Sequence, residues 1–203
     1  MILIPLFNFI RSCIKLIFYI LGKKKTVPLS PLAKQQIVKE YAKDFSIRIL
    51  VETGTCSGSM VEATRCVFDK IYSIELDKDL YNRAKKKFLK FDYITIIQGD
   101  SGKKIPLVIE KISDPCLFWL DAHYSKGITA KGDKETPIME ELRHIFCHSI
   151  KDNVILIDDA RLFVGKNDYP PLIKLKKFIL KKCPNCVFEV KDDIIRIHKK
   201  ISG

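Results

Sequence analysis

Acidic side chains standing just beyond short apolar runs carry the chemical interest of this 203-residue sequence. After the run at 47–51 comes Glu52-Thr53-Gly54-Thr55-Cys56-Ser57-Gly58-Ser59. Glycines there let the backbone turn sharply and approach a ligand closely, beside the start of a helix. After the run at 71–74 comes Glu75, about twenty residues beyond the glycines, where a carboxylate can accept hydrogen bonds from ribose hydroxyls. After 93–97 comes Gly99-Asp100-Ser101, whose carboxylate can reach an adenine amino group. Three such signals at three successive run ends are far more specific than any one alone.

Two further run ends are acidic. Residues 116–120 lead into Asp121-Ala122-His123-Tyr124, and residues 154–157 lead into Asp158-Asp159. Carboxylates brought together repel unless something positive sits among them. Oxygen ligands suit a hard divalent cation such as Mg²⁺, so Asp121, Asp158 and Asp159 are candidate metal ligands. His123 is a candidate base, with an ordinary pKa of about 6.5. The polar, glycine-containing and lysine-rich segment 125–134 reads either as a lid or anionic-substrate clamp, or as a surface loop.

These residues need elements to hold them. Ser30 is placed to cap a helix running to about residue 45. Strand-like runs at 47–51, 71–74, 93–97, 116–120 and 154–157 alternate with helical patterns at 57–68, 76–89, 105–112 and 171–182. Another helix begins at Thr136-Pro137, Thr as cap and Pro at the first helical position. Runs at 187–190 and 194–198 flank Lys191-Asp192-Asp193 and read as an antiparallel hairpin. The expected fold is α/β: a doubly wound, mostly parallel seven-stranded Rossmann-like sheet closed by that C-terminal hairpin, behind an N-terminal hydrophobic helix. In open sheets of this kind ligands bind beyond the carboxyl ends of the strands, where the acidic residues lie.

With the elements in this order, the sequence resembles the class I S-adenosylmethionine (SAM)-dependent methyltransferases. Their first motif, E/D-x-G-x-G-x-G, stands here as Glu52 to Gly58, with Cys56 in place of the middle glycine. The resemblance covers about residues 35–200. It implies a SAM site built from Glu52, Gly54, Thr55, Gly58, Glu75, Asp100 and Ser101, with Glu52 and Gly54 beside the methionine part, Glu75 on the ribose and Asp100 on the adenine. A nicotinamide-binding fold shares the glycine turn and the Glu75 position. The acidic residue directly before the glycines and the terminal hairpin favour the methyltransferase. The aspartates at the fourth and fifth strand ends are similar to those of the metal-dependent catechol-type and caffeoyl-CoA-type O-methyltransferases, where the metal binds the acceptor hydroxyl and lowers its pKa. Those enzymes carry a lysine base soon after the strand-four Asp. Here the nearby lysine is Lys126, at a different spacing, so the catalytic set is Asp121 with His123 or Lys126 as base.

Composition bounds the partners. A formal charge of +12, from 36 Lys plus Arg against 24 Asp plus Glu, attracts anionic partners without naming one. A nucleic-acid methyltransferase would usually show Asn/Asp-Pro-Pro-aromatic after strand four, and Asp121-Ala122-His123-Tyr124 has no proline. Nucleic acid is therefore not the expected partner; a small-molecule, glycan or lipid-linked hydroxyl is. A non-catalytic binding module is the remaining alternative. Seven cysteines, an odd number, read as buried free thiols of a reducing compartment. A lone Cys183-Pro184-Asn185-Cys186, near His144, Cys147 and His148, is only a weak zinc signal.

Residues 1–22 are almost wholly apolar, yet Asn8, Arg11, Ser12, Lys15 and Tyr19 share one helical face, and Lys23-Lys24-Lys25 follows. This pattern suits a helix lying in a membrane interface against anionic head groups, with a spanning anchor and a helix packed on this domain or on a twin chain as the alternatives. The expected organisation is a membrane-associating helix over 1–25, a linker over 26–34 and the methyltransferase-like domain over 35–203, on the cytoplasmic face of a membrane.

Overall fold

A computed structural model describes residues 28–122 and 135–200. Helix α1 (Pro31–Asp44) opens the chain, with the Ser30 side chain accepting from Ala33 N and Pro31 at its first position. Then follow β1 (Ile49–Thr53), α2 (Ser59–Thr64), β2 (Lys70–Glu75), α3 (Lys78–Phe88), β3 (Ile94–Gln98) and α4 (Ser101–Ile109). The second half comprises β4 (Cys116–Leu120), α5 (Ile138–Cys147), β5 (Val154–Ile157), a 3₁₀ turn (Ala160–Leu162), α6 (Leu172–Lys182), β6 (Cys186–Lys191) and β7 (Ile194–Lys199).

All seven strands join one sheet in the order β3-β2-β1-β4-β5-β7-β6. The first five are parallel; β7 pairs antiparallel with both β5 and β6. Asp192 and Asp193 both have positive φ, 58° and 63°, which makes the two-residue hairpin turn of the type whose twist matches its strands.

Because side chains alternate along a strand, β4 divides its residues between two cores. Leu117 and Trp119 pack with Ile37, Val38, Met60, Val61 and Phe88 on the α1–α3 side. Cys116, Phe118 and Leu120 pack with Ile105, Leu142, Ile145, Leu175 and Ile179 on the α4–α6 side. The central strands are covered on both faces, which is why they read as unbroken apolar runs rather than alternating ones. Leu29 and Ala33 are buried in the α1 side of this core.

Several boundaries differ from the pattern-based reading. Helix α2 stops at Thr64, four residues short of the apolar pattern's end. Helix α4 begins at Ser101, not 105, because the Asp100 side chain caps it by accepting from Gly102 N at 2.8 Å. Helix α5 begins after Pro137, and Thr136 Oγ1 accepts from Ile138 N at 3.3 Å. Of the described cysteines Cys116 is buried, but Cys56, Cys66 and Cys147 are exposed, so the expectation of buried thiols holds only in part.

No helix among the described residues is long and apolar enough to cross a membrane. The membrane-associating helix expected over 1–25 lies outside the described residues, as do His123, Lys126 and the whole of the 125–134 segment.

Candidate active site

The strand order reverses between β1 and β4, and β1 is hydrogen-bonded to β2 on one side and β4 on the other. In an open α/β sheet the carboxyl ends of the strands at such a reversal are the usual ligand site. Register sets the neighbours: Glu52 lies opposite Ser73 on β2 and Trp119 on β4. Leu120 lies opposite Ile157, so Asp121 and Asp158 leave the sheet side by side.

The first turn is tightly built. Gly54 has φ +85°, and a Cβ there would stand 2.6 Å from the Asp121 carbonyl oxygen, so the loops after β1 and β4 meet backbone to backbone. Gly58 has φ +70°, and a Cβ there would meet the Phe88 ring at 2.7 Å. Cys56, standing where the motif has its middle glycine, also takes a left-handed φ of 48°. A non-glycine residue held there costs about 1–2 kcal/mol, and its amide answers that strain by donating to Glu75 Oε2 at 2.7 Å. The other Glu75 oxygen accepts from Asp77 N at 2.9 Å. Glu75 thus braces the glycine turn against the start of α3.

Glu52 is 2% exposed. Ser73 Oγ donates to it at 2.5 Å, and Thr55 Oγ1 lies 2.6 Å from the same hydroxyl. Burial pushes the Glu52 carboxyl up to about 8; the Ser73 bond opposes this, and the negative charges of Asp121 and Glu75 add to it. At the third strand end Ser101 Oγ donates to Glu141 Oε1 at 2.5 Å. Glu141, on α5 and 1% exposed, has its carboxyl raised to about 7, again mainly by burial, with Asp100 and Asp121 contributing. Sequence reasoning did not find Glu141. The signal was present: it shares a helical face with Ile138, Leu142 and Ile145, an acid on an apolar stripe.

The aspartates of strands four and five do come together. Their charges act on one another, and burial with the Asp121 charge raises the Asp158 carboxyl to about 7. The cation among them, however, is Lys34 from α1. Its ammonium pairs with Asp158 Oδ2, lies 4.0 Å from Asp159 Oδ1 and feels the charge of Asp121. The other Asp158 oxygen accepts from Asp159 N at 2.9 Å. Asp159 accepts from Arg161 Nη1 at 2.7 Å and is held at φ 57°.

The residues present therefore do not fit the expected divalent ion. Their oxygens already hold an ammonium, a guanidinium and an amide. A charge 4 Å from that ammonium is repelled by about 4 kcal/mol per unit at a surface-like dielectric. No group of three His, Cys, Asp or Glu side chains among the described residues is arranged to hold a metal, the Cys183–Cys186 pair included. Lys34 too had a sequence signal, a charge on the stripe it shares with Ile37, Val38 and Tyr41. Tyr169 adds a buried hydroxyl beside this cluster, bonded to Thr136, with its pKa raised mainly by burial and then by Asp159. A separate cavity at the opposite ends of the strands is lined by Asn153, Cys183, Cys186 and Lys199 and contains none of the expected site residues.

The rim thus joins two neighbourhoods, Glu52–Glu75–Asp100–Glu141 and Asp121–Asp158–Asp159–Lys34, through the contact of Gly54 with Asp121. Solved structures share this architecture. A protein assigned as a caffeoyl-CoA O-methyltransferase from Staphylococcus aureus superposes with a TM-score of 0.60 at 16% identity, over 91% of either chain. The O-methyltransferase TomG of tomaymycin synthesis from Streptomyces achromogenes, solved with SAM, gives 0.60 at 13% identity over 85% of this chain and 82% of its own. An O-methyltransferase from Bacillus cereus, solved with SAH, gives 0.57 at 13% identity over 93% and 90%. The fold is that of the class I methyltransferases. At the level of sequence no family model and no curated protein matches. Within the methyltransferase fold the terminal β6–β7 hairpin, with β7 inserted antiparallel beside β5, is the feature that separates this sheet from the nicotinamide-binding alternative.

Proposed function

We propose that this chain is a SAM-dependent O-methyltransferase acting on a hydroxyl of a small-molecule, glycan or lipid-linked acceptor. The observation that carries the reading is the concentration of carboxylates at the switch point of a protein that is otherwise strongly basic: Glu52, Glu75, Asp100, Asp121 and Glu141 converge on the carboxyl ends of β1 and β4. A cofactor carrying a sulfonium and an ammonium is drawn to such a rim; an anionic one is repelled.

Bound there, SAM supplies an electrophilic methyl group. The protein's part is to hold the partners in line and to stabilise charge as it moves. Glu75 receives the ribose hydroxyls while its other lone pairs fix the turn. Asp100, oriented by Gly102 N, accepts from the adenine amino group. Glu52 would give up its proton as the sulfonium binds and then set a negative field beside it. The acceptor lies toward Asp121, and its proton passes to a base for which His123 and Lys126 are the candidates, both outside the described residues. Residues 1–25 would keep such an enzyme at a membrane surface, which suits a lipid-linked acceptor.

Calorimetry with SAM in the presence of a chelator tests the reading. One equivalent should bind, and Glu75→Ala and Asp100→Asn should each weaken binding at least about tenfold, the loss of one charge-assisted hydrogen bond or more. Absence of binding by the folded wild-type protein rejects the assignment.

A further inference from the structure

We infer that Lys34 is this protein's built-in cation: its ammonium fills the position among Asp121, Asp158 and Asp159 that a divalent ion would otherwise occupy, and removing it turns the cluster into a divalent-cation site. The inference concerns the cluster itself and does not depend on methyl transfer being the reaction.

Three observations support it. The Lys34 chain reaches across from α1 to the ends of β4 and β5, a contact far apart in sequence, and pairs with Asp158. Its side chain is 19% exposed, so the ammonium stands at the open side of the cluster, while the Asp158 side chain beneath it is 1% exposed. Finally, α1 is fixed in place: Gln35, the next residue, donates from Nε2 to Ser59 O at 3.1 Å, and Ile37 and Val38 are buried in the core. The lysine is held where the carboxylates converge, not resting on them from a loose surface helix.

An ammonium and a divalent ion cannot share so small a space. A lysine brings one compact charge with three donors, enough to hold the aspartates together and to offer a proton donor to an acceptor oxygen. With the ammonium gone, the cluster keeps its negative charge, and its carboxylate oxygens can rearrange around a hard cation.

The test reads metal binding on the full chain without cofactor. Free Mn²⁺ is followed by electron paramagnetic resonance in titrations of wild type, Asp158→Asn, Lys34→Met, Lys34→Gln, Lys34→Arg and the double variant Lys34→Met/Asp158→Asn, with circular dichroism to confirm folding. Wild type and Lys34→Arg should show no saturable site. Lys34→Met and Lys34→Gln should bind one Mn²⁺ at least about tenfold tighter than wild type, and the double variant should lose it. Two results overturn the inference: a saturable wild-type site that Asp158→Asn abolishes, or a folded Lys34→Met or Lys34→Gln variant that gains no Mn²⁺ affinity. If neither lysine variant folds, the wild-type and Asp158→Asn titrations alone decide. Because SAM is absent throughout, the outcome is separable from the calorimetry above.

Discussion

Glu52 keeps its proton in the fold to about pH 8, whereas the ordinary value is 4.5. Between those values the folded chain binds more protons than the unfolded one, so stability falls as pH rises through the window. Glu141, raised to about 7, acts in the same direction. The melting temperature of the ligand-free protein should therefore drop between pH 5 and pH 8.5, and Glu52→Gln should flatten the fall, by up to about 1.4 kcal/mol per pH unit in the window. Differential scanning calorimetry across that range checks this. A positively charged ligand favours the ionised carboxyl, so SAM binding near pH 7 should release protons. Titration calorimetry in buffers of different ionisation enthalpy reads the number, and Glu52→Gln should reduce it. The strand-end acids were legible in the sequence because a position after an apolar run is a local property. Lys34 and Glu141 were not read from it, because their roles arise only when α1 and α5 pack onto the sheet. Each looked like one polar residue on an apolar helical face. The metal expectation has the same gap: three aspartates invite a cation, and nothing local says that α1 delivers one.

At the scale of elements, β1 and β4 are joined where Gly54 meets the Asp121 carbonyl. Asp121 N also donates to Thr53 O at 3.1 Å, and Glu141 bonds to Thr53. Gly54→Ala meets both a left-handed φ and a backbone atom that cannot yield without moving a central strand. It should cost about 3 kcal/mol or more, lowering the melting temperature by roughly 6–12 °C. Gly99→Ala, at φ +135° but facing only the flexible Lys104 side chain, should lose less, and thermal melts of the pair separate backbone contact from strain. The order of strands and helices could be read from alternation of apolar runs and turn residues. Helix starts could be read only where the cap was recognised: Ser30 was, and Asp100, taken for a ligand group, was not seen as a cap as well.

The whole molecule sets a basic exterior against an acidic rim. Helix α3 carries Lys85, Lys86 and Lys87 in its last turn and α6 carries Lys181 and Lys182 in its own, while the rim gathers the carboxylates. A formal charge of +12 with the amphipathic pattern of residues 1–25 leads to a membrane prediction. The full chain should co-sediment with vesicles containing anionic lipid and far less with neutral ones, since each basic residue near such a surface contributes about 1 kcal/mol. A chain starting at residue 26 should stay largely in the supernatant. Equal sedimentation of the two would assign the attraction to the domain's own lysines.

The turn of the terminal hairpin reaches back to the aspartate pair. Asp193 Oδ1 accepts from Arg161 N and its carbonyl from Ala160 N, each at 2.8 Å, while its other carboxylate oxygen holds the guanidinium that grips Asp159. A stretch made later in translation is thus the latch on residues synthesised more than thirty positions earlier. A ribosome that stops short of residue 193 releases a polypeptide with the glycines and acids of the strand ends but no clasp on Asp159, so competence waits until residue 193 has been made.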